Sequence, residues 1–453
     1  MKSEAAEHDE PLVATAPVYP SPVAAWSAVA IMFLLAVLAI LDRSIMTLLV
    51  EPIQADLKLS DTAMGFILGI ALAVPNGLMS LPVGWAVDRY PRRAIIAIGV
   101  GVWSLGTAAT GLASSVAGLF VARGVIGAGE ASLAPAQQSM LSDMFPMKQL
   151  GLAFSITNMG WKAGTGVSLL IAASLVSFFP PSELIDVPLV GRLAGWKVIF
   201  LAVGLPGFLF IPLIYLMREP VRHGVSAAGD HAGSGYRDYF AFFARHRRFL
   251  LPHHIGFMSF VALFASVNAW MPSFLVRVHH MPAATAGGWL GTAMLFSPLI
   301  GMPLHGALAD YFYRRGVTDI HVRYPMVTAL LGFPFGVAAF LVTDPYWSIA
   351  MIAIFVFFIA CYTSLPLVAA ITSFPGRLRG KASSFIILVC STGGIALGPL
   401  TVGRLTDVVF EDPGKLGYSM MCTMVIFTFF VVAPFAFALG PLRAFKRQEA
   451  AQA

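Results

Sequence analysis

Apolar residues fill this chain in one long segment after another, and that pattern constrains the fold before any single residue is considered. Twelve such segments lie between positions 23 and 441. At about 1.5 Å per residue, each can cross a hydrocarbon core of about 30 Å as a helix. Helices are demanded because lipid offers no partner to a free backbone N–H or C=O. Only 11% of the residues are charged, where a soluble domain carries about 25%. The fold class expected is an all-α membrane protein of twelve transmembrane helices in two pseudo-symmetric six-helix bundles.

The polar stretches divide the chain. Residues 1–22 are acidic and proline-rich and lack the basic start and apolar stretch of a signal peptide, so they read as an uncleaved, disordered tail. A first bundle is expected over 23–217, a linker over 218–250, a second bundle over 251–441 and a tail over 442–453. The linker ends in a run from Phe240 to Leu250 that mixes aromatics with cations, as suits a segment lying on the inner leaflet. Loops on the side of the tails carry Arg89, Arg92, Arg93, Lys148, Arg314, Arg315 and Lys381, while the opposite loops carry Glu51, Asp56, Asp61, Glu183, Asp186 and Asp344. By the positive-inside rule both termini face the cytoplasm of a plasma (bacterial inner) membrane. The three cysteines, all in apolar segments, form no metal spacing or disulfide framework. The histidine pairs at 253–254 and 279–280 stand at span ends, where an interfacial place is expected; His305 reads as a packed or bonded histidine. No cofactor, resident metal or nucleic-acid partner is expected, and no motif of an ATPase or membrane hydrolase appears. The partners expected are a small-molecule or lipid substrate, protons and membrane lipids, with the chain a monomer.

The two halves repeat. Gly84, Asp88, Arg92 and Arg93 after the second span return as Gly306, Asp310, Arg314 and Arg315 after the eighth, 222 positions on. Phe145-Pro146, Gly151, Ala153 and Gly164 return 229 positions on as Phe374-Pro375, Gly380, Ala382 and Gly393. Two repeats in one orientation are a transporter signature. A gate is expected in the loop Gly84–Arg93. Glycine lets helices approach closely. Asp88 can reach a neighbouring helix N-terminus or pair with Arg92 or Arg93, and Asp143 is another candidate partner. Asp310 and Arg314 repeat the arrangement.

These loops, with Arg123…Gly127-Ala-Gly129 and the glycine-rich Gly160…Gly166, resemble the major facilitator superfamily over nearly the whole chain after the tail. Leu41-Asp42-Arg43 and the following Glu51–Asp61 loop resemble more narrowly its spinster branch, whose eukaryotic members export sphingosine-1-phosphate and related lysolipids; organic-anion symporters of the superfamily have similar loops. The resemblance implies alternating access around a central cavity lined by spans one and four.

The charges inside the spans are the site candidates. Asp42 and Arg43 lie in the far half of span one, and each costs at least about 2.5 kcal/mol in a membrane helix unless paired or wet. Neighbours point about 100° apart, so they neutralise each other poorly. Arg123 and Glu130 in span four stand seven apart on one face, about 10 Å from each other. An Asp42–Arg123–Glu130 cluster with Arg43 nearby is therefore expected, either a proton-coupling site or a structural ion-pair network. Lys162 in span five either attracts a substrate anion or snorkels. The second half offers Asn268, Trp270, Tyr362, Thr363 and Ser364 among many Met and Phe. The function expected is proton-coupled transport of an amphipathic anionic or lipid-like substrate, with Arg43, Arg123, Glu130, Lys162, Asn268 and Tyr362 binding it. The alternative is symport of a small organic anion.

Overall fold

The computed structural model describes residues 19–188, 191–222, 236–362, 364–375 and 378–452. Most of the tail expected at 1–22, the middle of the linker and Thr363 lie outside the described residues. Among the described residues eleven helices are long and apolar enough to cross a membrane: Pro22–Leu48, Asp61–Arg89, Arg92–Gly111, Val116–Met144, Lys148–Phe178, Gly195–Leu216, Arg247–Arg277, Ala283–Arg314, Pro345–Thr372, Ala382–Phe410 and Pro413–Arg447. A twelfth, shorter helix, Ile320–Ala338, stands ninth in order and opens with His321 and Arg323. They are numbered here as spans one to twelve.

Local chemistry sets where the helices begin. Span one starts at Ser21, whose side chain accepts from the Ala24 N–H, with Pro22 in the first turn. Span two starts at Ser60, which accepts from the Ala63 N–H in the same way. Between spans five and six an antiparallel hairpin forms, β1 (Leu184–Val187) and β2 (Gly191–Ala194), which hydropathy alone did not reveal.

Several spans are interrupted where they border the centre. Span four breaks after Glu130 and resumes at Leu133. Span ten breaks after Ile359 and resumes at Ser364. Span eleven contains two π-helical turns, Ile387–Ser391 and Leu405–Phe410. Such interruptions free backbone groups and recur where a membrane protein handles a ligand.

The halves meet along two seams. Span five packs against span eight, and span two against span eleven. The backbones touch there: a Cβ at Gly166 would sit 2.5 Å from the Gly291 carbonyl oxygen, and one at Gly65 2.6 Å from that of Pro399. Small residues are what allow this approach.

One expectation is corrected. His253 and His254 are 0% and 6% exposed, packed among aromatic rings such as Phe249 and Phe243 rather than placed at an interface. The aromatic stretch of the linker forms a helix, Tyr236–Arg245, whose Tyr239 is fully buried. Its ring stacks on Phe374 at 5.3 Å and meets Phe385 at 5.0 Å, which ties this part of the linker to the second bundle, while Phe240 is left exposed.

Candidate functional site

A cavity of about 280 Å³ lies between the two halves. The first half lines it with Arg43 and Thr47 of span one, Arg123 of span four, and Trp161, Lys162 and Thr165 of span five. The second half answers with Phe264 and Asn268 of span seven, Met294 and Pro298 of span eight, Tyr362 of span ten and Ile395 of span eleven. A cationic wall thus faces a mostly apolar one.

Arg43 points into the cavity, whereas Asp42, one residue away, lies behind the wall at 1% exposure. The 100° between helix neighbours separates them as their spacing required. Span four supplies the partners. The Arg43 Nε donates to Glu130 Oε2 at 2.7 Å, and its Nη2 donates to the same oxygen. The Arg123 Nη1 donates to the Asp42 carbonyl oxygen at 3.2 Å. The expected cluster is therefore assembled with other pairings: Glu130 takes Arg43, and Arg123 takes the backbone of Asp42. Two helical turns separate Arg123 from Glu130, too far for one to serve the other, so each finds span one at a different height.

This cluster is incompletely bonded. Asp42 Oδ1, Glu130 Oε1 and Arg123 Nε have no hydrogen-bond partner among the described residues. Leaving a buried polar atom unpaired costs about 1–3 kcal/mol, more for a charged one. Thr107 lies beside the Asp42 carboxyl, with Glu130, Arg123 and Arg43 near enough to act on it electrostatically. Such a group can take up a proton or exchange partners without dismantling a saturated network.

Lys162 and Tyr362 meet across the two halves. The Nζ stands 3.4 Å from the Tyr362 hydroxyl and 4.7 Å from its ring centre. The ring is itself stacked on Phe264 at 4.6 Å. Tyr362 occupies the break in span ten, which turns it toward the cavity. Asn268 lines the cavity, but Trp270 does not: its Nε1 donates to the Pro399 carbonyl at 2.9 Å, joining spans seven and eleven.

The end of the molecule beyond Arg43 is closed. Arg277, ending span seven, donates from Nη2 to Glu51 at 2.8 Å and from Nη1 to Asp61 at 2.7 Å. Asp407 of span eleven accepts from the backbone N–H of Asp61 at 3.2 Å and of Thr62 at 2.6 Å. In the sequence Glu51 and Asp61 read only as loop charge, and Asp407 fell unremarked within the eleventh apolar segment. The signal that marks them is a lone arginine ending a span on the acidic side.

The opposite end is open. A Cβ at Gly84 or at Gly306 would meet nothing within 4 Å, and Asp88 and Asp310 are exposed. Arg314 donates from Nε to the carbonyl of Asp310 at 3.3 Å. Arg92 is buried, pairing with Asp143 and, at 2.8 Å, with Glu219. Glu219 also accepts from the Arg93 N–H at 3.0 Å. Arg92 and Asp143 thus lock the first bundle internally, with Glu219 the acid that sequence reading missed. His305 is bonded on both nitrogens, to Tyr324 and to the Phe357 carbonyl.

The model of the Major Facilitator Superfamily matches residues 32–399. The chain belongs to this superfamily. It is therefore a multi-pass membrane transporter and not an enzyme, built on the superfamily's twelve-helix, two-bundle plan. Among curated proteins it is similar to an MFS-type efflux pump of Mycolicibacterium smegmatis, 25% identical over 427 residues, 93% of this chain and 94% of that protein. It is also similar to the hexuronate transporter of Bacillus subtilis, 25% identical over 398 residues, 83% of this chain and 86% of that protein. Its fold matches the crystal structure of a bacterial homologue of the human lysosomal transporter spinster in an inward-facing, unoccupied conformation. The TM-score is 0.79 at 23% identity, covering 94% of this chain and 99% of that one.

Proposed function

We propose that this superfamily member is a proton-linked carrier of an amphipathic organic anion, working by alternating access with both termini in the cytoplasm. The observation that carries the reading is the pairing of the sealed Glu130 with Arg43, which lines a cavity whose opposite wall is apolar. With Glu130 ionised, Arg43 is occupied by an internal carboxylate. A proton on Glu130 weakens that bond and releases the guanidinium for an anion from outside. Asp42, unsaturated and close by, is the second proton site. Arg123 and Lys162 add positive potential, and Asn268 and Tyr362 supply polar contacts from the second half. Phe264, Met294 and Ile395 receive the apolar part of the substrate. In this orientation the open end, with Gly84, Asp88, Asp310 and Arg314, faces the cytoplasm, and these residues gate it.

A second reading, symport of a small hydrophilic acid, is favoured by two observations. The cavity of about 280 Å³ lies at the small end of ligand pockets, which run from about 300 to 1,000 Å³. One of the similar proteins is a hexuronate transporter.

Proteoliposomes holding the purified protein and a trapped pH dye separate these readings. A lysolipid phosphate is added to one set and a sugar acid to another, with protein-free vesicles as control. A protein-dependent pH change with the lysolipid, abolished by Asp42→Asn or Glu130→Gln, supports the first reading. A signal with the sugar acid alone establishes the second. No signal with either refutes proton linkage for these substrates.

A further inference from the structure

Spans four and ten break at the same place in the repeat. The first segment of span four ends at Glu130 and that of span ten at Ile359, 229 positions on, which is an offset between the two halves. A helix that stops leaves the carbonyls of its last turn short of donors. In span four the Gly127 carbonyl receives a long bond from its own helix, 3.3 Å from the Ala131 N–H. In span ten the Phe357 carbonyl is met by the Ala360 N–H, three residues on, at 3.2 Å, in the tighter and poorer geometry of a 3₁₀ turn.

In each half a side chain from a neighbouring span completes that carbonyl. Asn76 of span two donates from Nδ2 to the Gly127 carbonyl at 3.0 Å. His305 of span eight donates from Nε2 to the Phe357 carbonyl at 2.7 Å. The backbones touch close by in both cases. A Cβ at Gly127 would overlap the Leu72 carbonyl oxygen, and one at Gly301 would sit 2.9 Å from that of Phe357. The donor stands one turn further along, Asn76 after Leu72 and His305 after Gly301. The donors themselves do not match in the repeat, since Val83 stands 222 positions before His305. The likeness is of bonding. A carbonyl only accepts, so the His305 Nε2 carries a proton, and in the neutral ring Nδ1 accepts from the Tyr324 hydroxyl of span nine at 2.8 Å. The histidine is buried.

We propose that Asn76 and His305 are positioning residues that hold the two breaks in shape, and through them two contacts of the cavity wall. Asn76 fixes the end of the segment that sets Glu130 against Arg43. His305, oriented by Tyr324, fixes the turn that sets Tyr362 against Lys162. Each supplies the donor that a broken helix lacks, so the break keeps one geometry instead of several. The consequence for transport rests on the reading of this cavity as the substrate site; the bonding that holds the breaks does not.

Two native cysteines report the test without any substrate. Cys361 lies in the break of span ten and Cys390 in span eleven, and both are buried. Reconstituted protein is treated with N-ethylmaleimide, and labelling at each site is followed by peptide mass spectrometry. Loosening of the break exposes Cys361 alone, whereas general destabilisation exposes both. His305→Phe strips the Phe357 carbonyl of its donor and is expected to speed labelling of Cys361 about tenfold, with Cys390 unchanged. His305→Gln, whose amide nitrogen stands where Nε2 stood, is expected to hold the parent rate. His305→Asn, whose amide stands in place of Nδ1, is expected to label as fast as His305→Phe. Asn76→Leu is expected to leave Cys361 at the parent rate and to speed labelling of a cysteine placed by Ser132→Cys in the break of span four. Should His305→Phe not fold, the Gln and Asn variants carry the same comparison. A parent-like rate in His305→Asn, a rise at both cysteines together, or equal rates in the Gln and Asn variants overturns the proposal. Because no substrate enters, failure of the proton assay leaves this result readable, and parent-like labelling sinks the positioning role while leaving the transport reading intact.

Discussion

Glu130 gives one carboxylate oxygen, Oε2, to both Arg43 Nε and Arg43 Nη2, while Oε1 has no hydrogen-bond partner among the described residues. The bond is therefore single-sided at the acid and two-pronged at the base. The arginine is partly exposed to the cavity at 26%, whereas the acid is sealed at 0%. In the proton-linked reading proposed above, a change at Glu130 alters what the cavity presents through Arg43 alone, the cavity-lining partner of this bond.

Glu130→Gln keeps the shape and removes the charge. Uptake driven by a pH gradient is expected to fall by more than about tenfold, since a charge-assisted bond from an arginine to a buried carboxylate contributes about 1.5–3 kcal/mol. Substrate counterflow without a gradient is expected to persist. Measuring both on one preparation checks the assignment, because loss of both together would make Glu130 a purely structural residue.

Arg43→Lys retains the charge but not the fork. A lysine cannot donate twice along one edge, so the apparent KM for the anion is expected to rise about tenfold while the protein still folds. Uptake kinetics over a substrate series report it, and an unchanged KM would place the anion elsewhere in the cavity.

Tyr362 contributes a ring and a hydroxyl to Lys162, and the two are separable. Tyr362→Phe keeps the ring and is expected to change the KM about twofold. Tyr362→Ala removes a cation–π contact of roughly 0.5–2 kcal/mol, for an increase of about threefold to thirtyfold. Equal effects of the two variants would show that the hydroxyl alone matters.

Asp319 tests stability away from the cavity. It accepts from Arg323 and Arg443 at 2.9 and 2.8 Å. Burial raises its pKa, but these two arginines outweigh that and hold the carboxyl below its ordinary value. A depressed pKa contributes stability that is full above the unfolded value and is lost as pH falls through the folded one. Asp319→Asn is therefore expected to lower the Tm in detergent by a similar amount at pH 7 and pH 5.5, in line with roughly 1 kcal/mol for partly exposed pairs. A loss seen only at pH 7 would contradict the sign.

Much of the site was legible along the chain because lipid makes a buried charge conspicuous. Asp42, Arg43, Arg123, Glu130 and Lys162 stood out as charges inside apolar segments, and all five lie in or just behind the cavity wall. Their pairing was not legible. Arg123 and Glu130 share a helix face, yet Glu130 bonds Arg43 and Arg123 the Asp42 carbonyl, because two helical turns set them at different heights against span one. Asp61 looked like loop charge and neither Glu219 nor Asp407 stood out, since nothing local distinguishes a solvated carboxylate from one that caps a distant helix.

The sequence by itself determined the span plan, the twofold repeat and the membership of a transporter superfamily, because hydropathy and helical period act over a few turns and are written locally. Only the tertiary structure decided which carboxylate meets which arginine, which end is shut, and where Lys162 finds Tyr362 200 residues away. Those contacts depend on how helices far apart in the chain pack against one another, within a bundle and between the two, and bringing distant groups to hydrogen-bonding distance is a property of packing that no local pattern encodes.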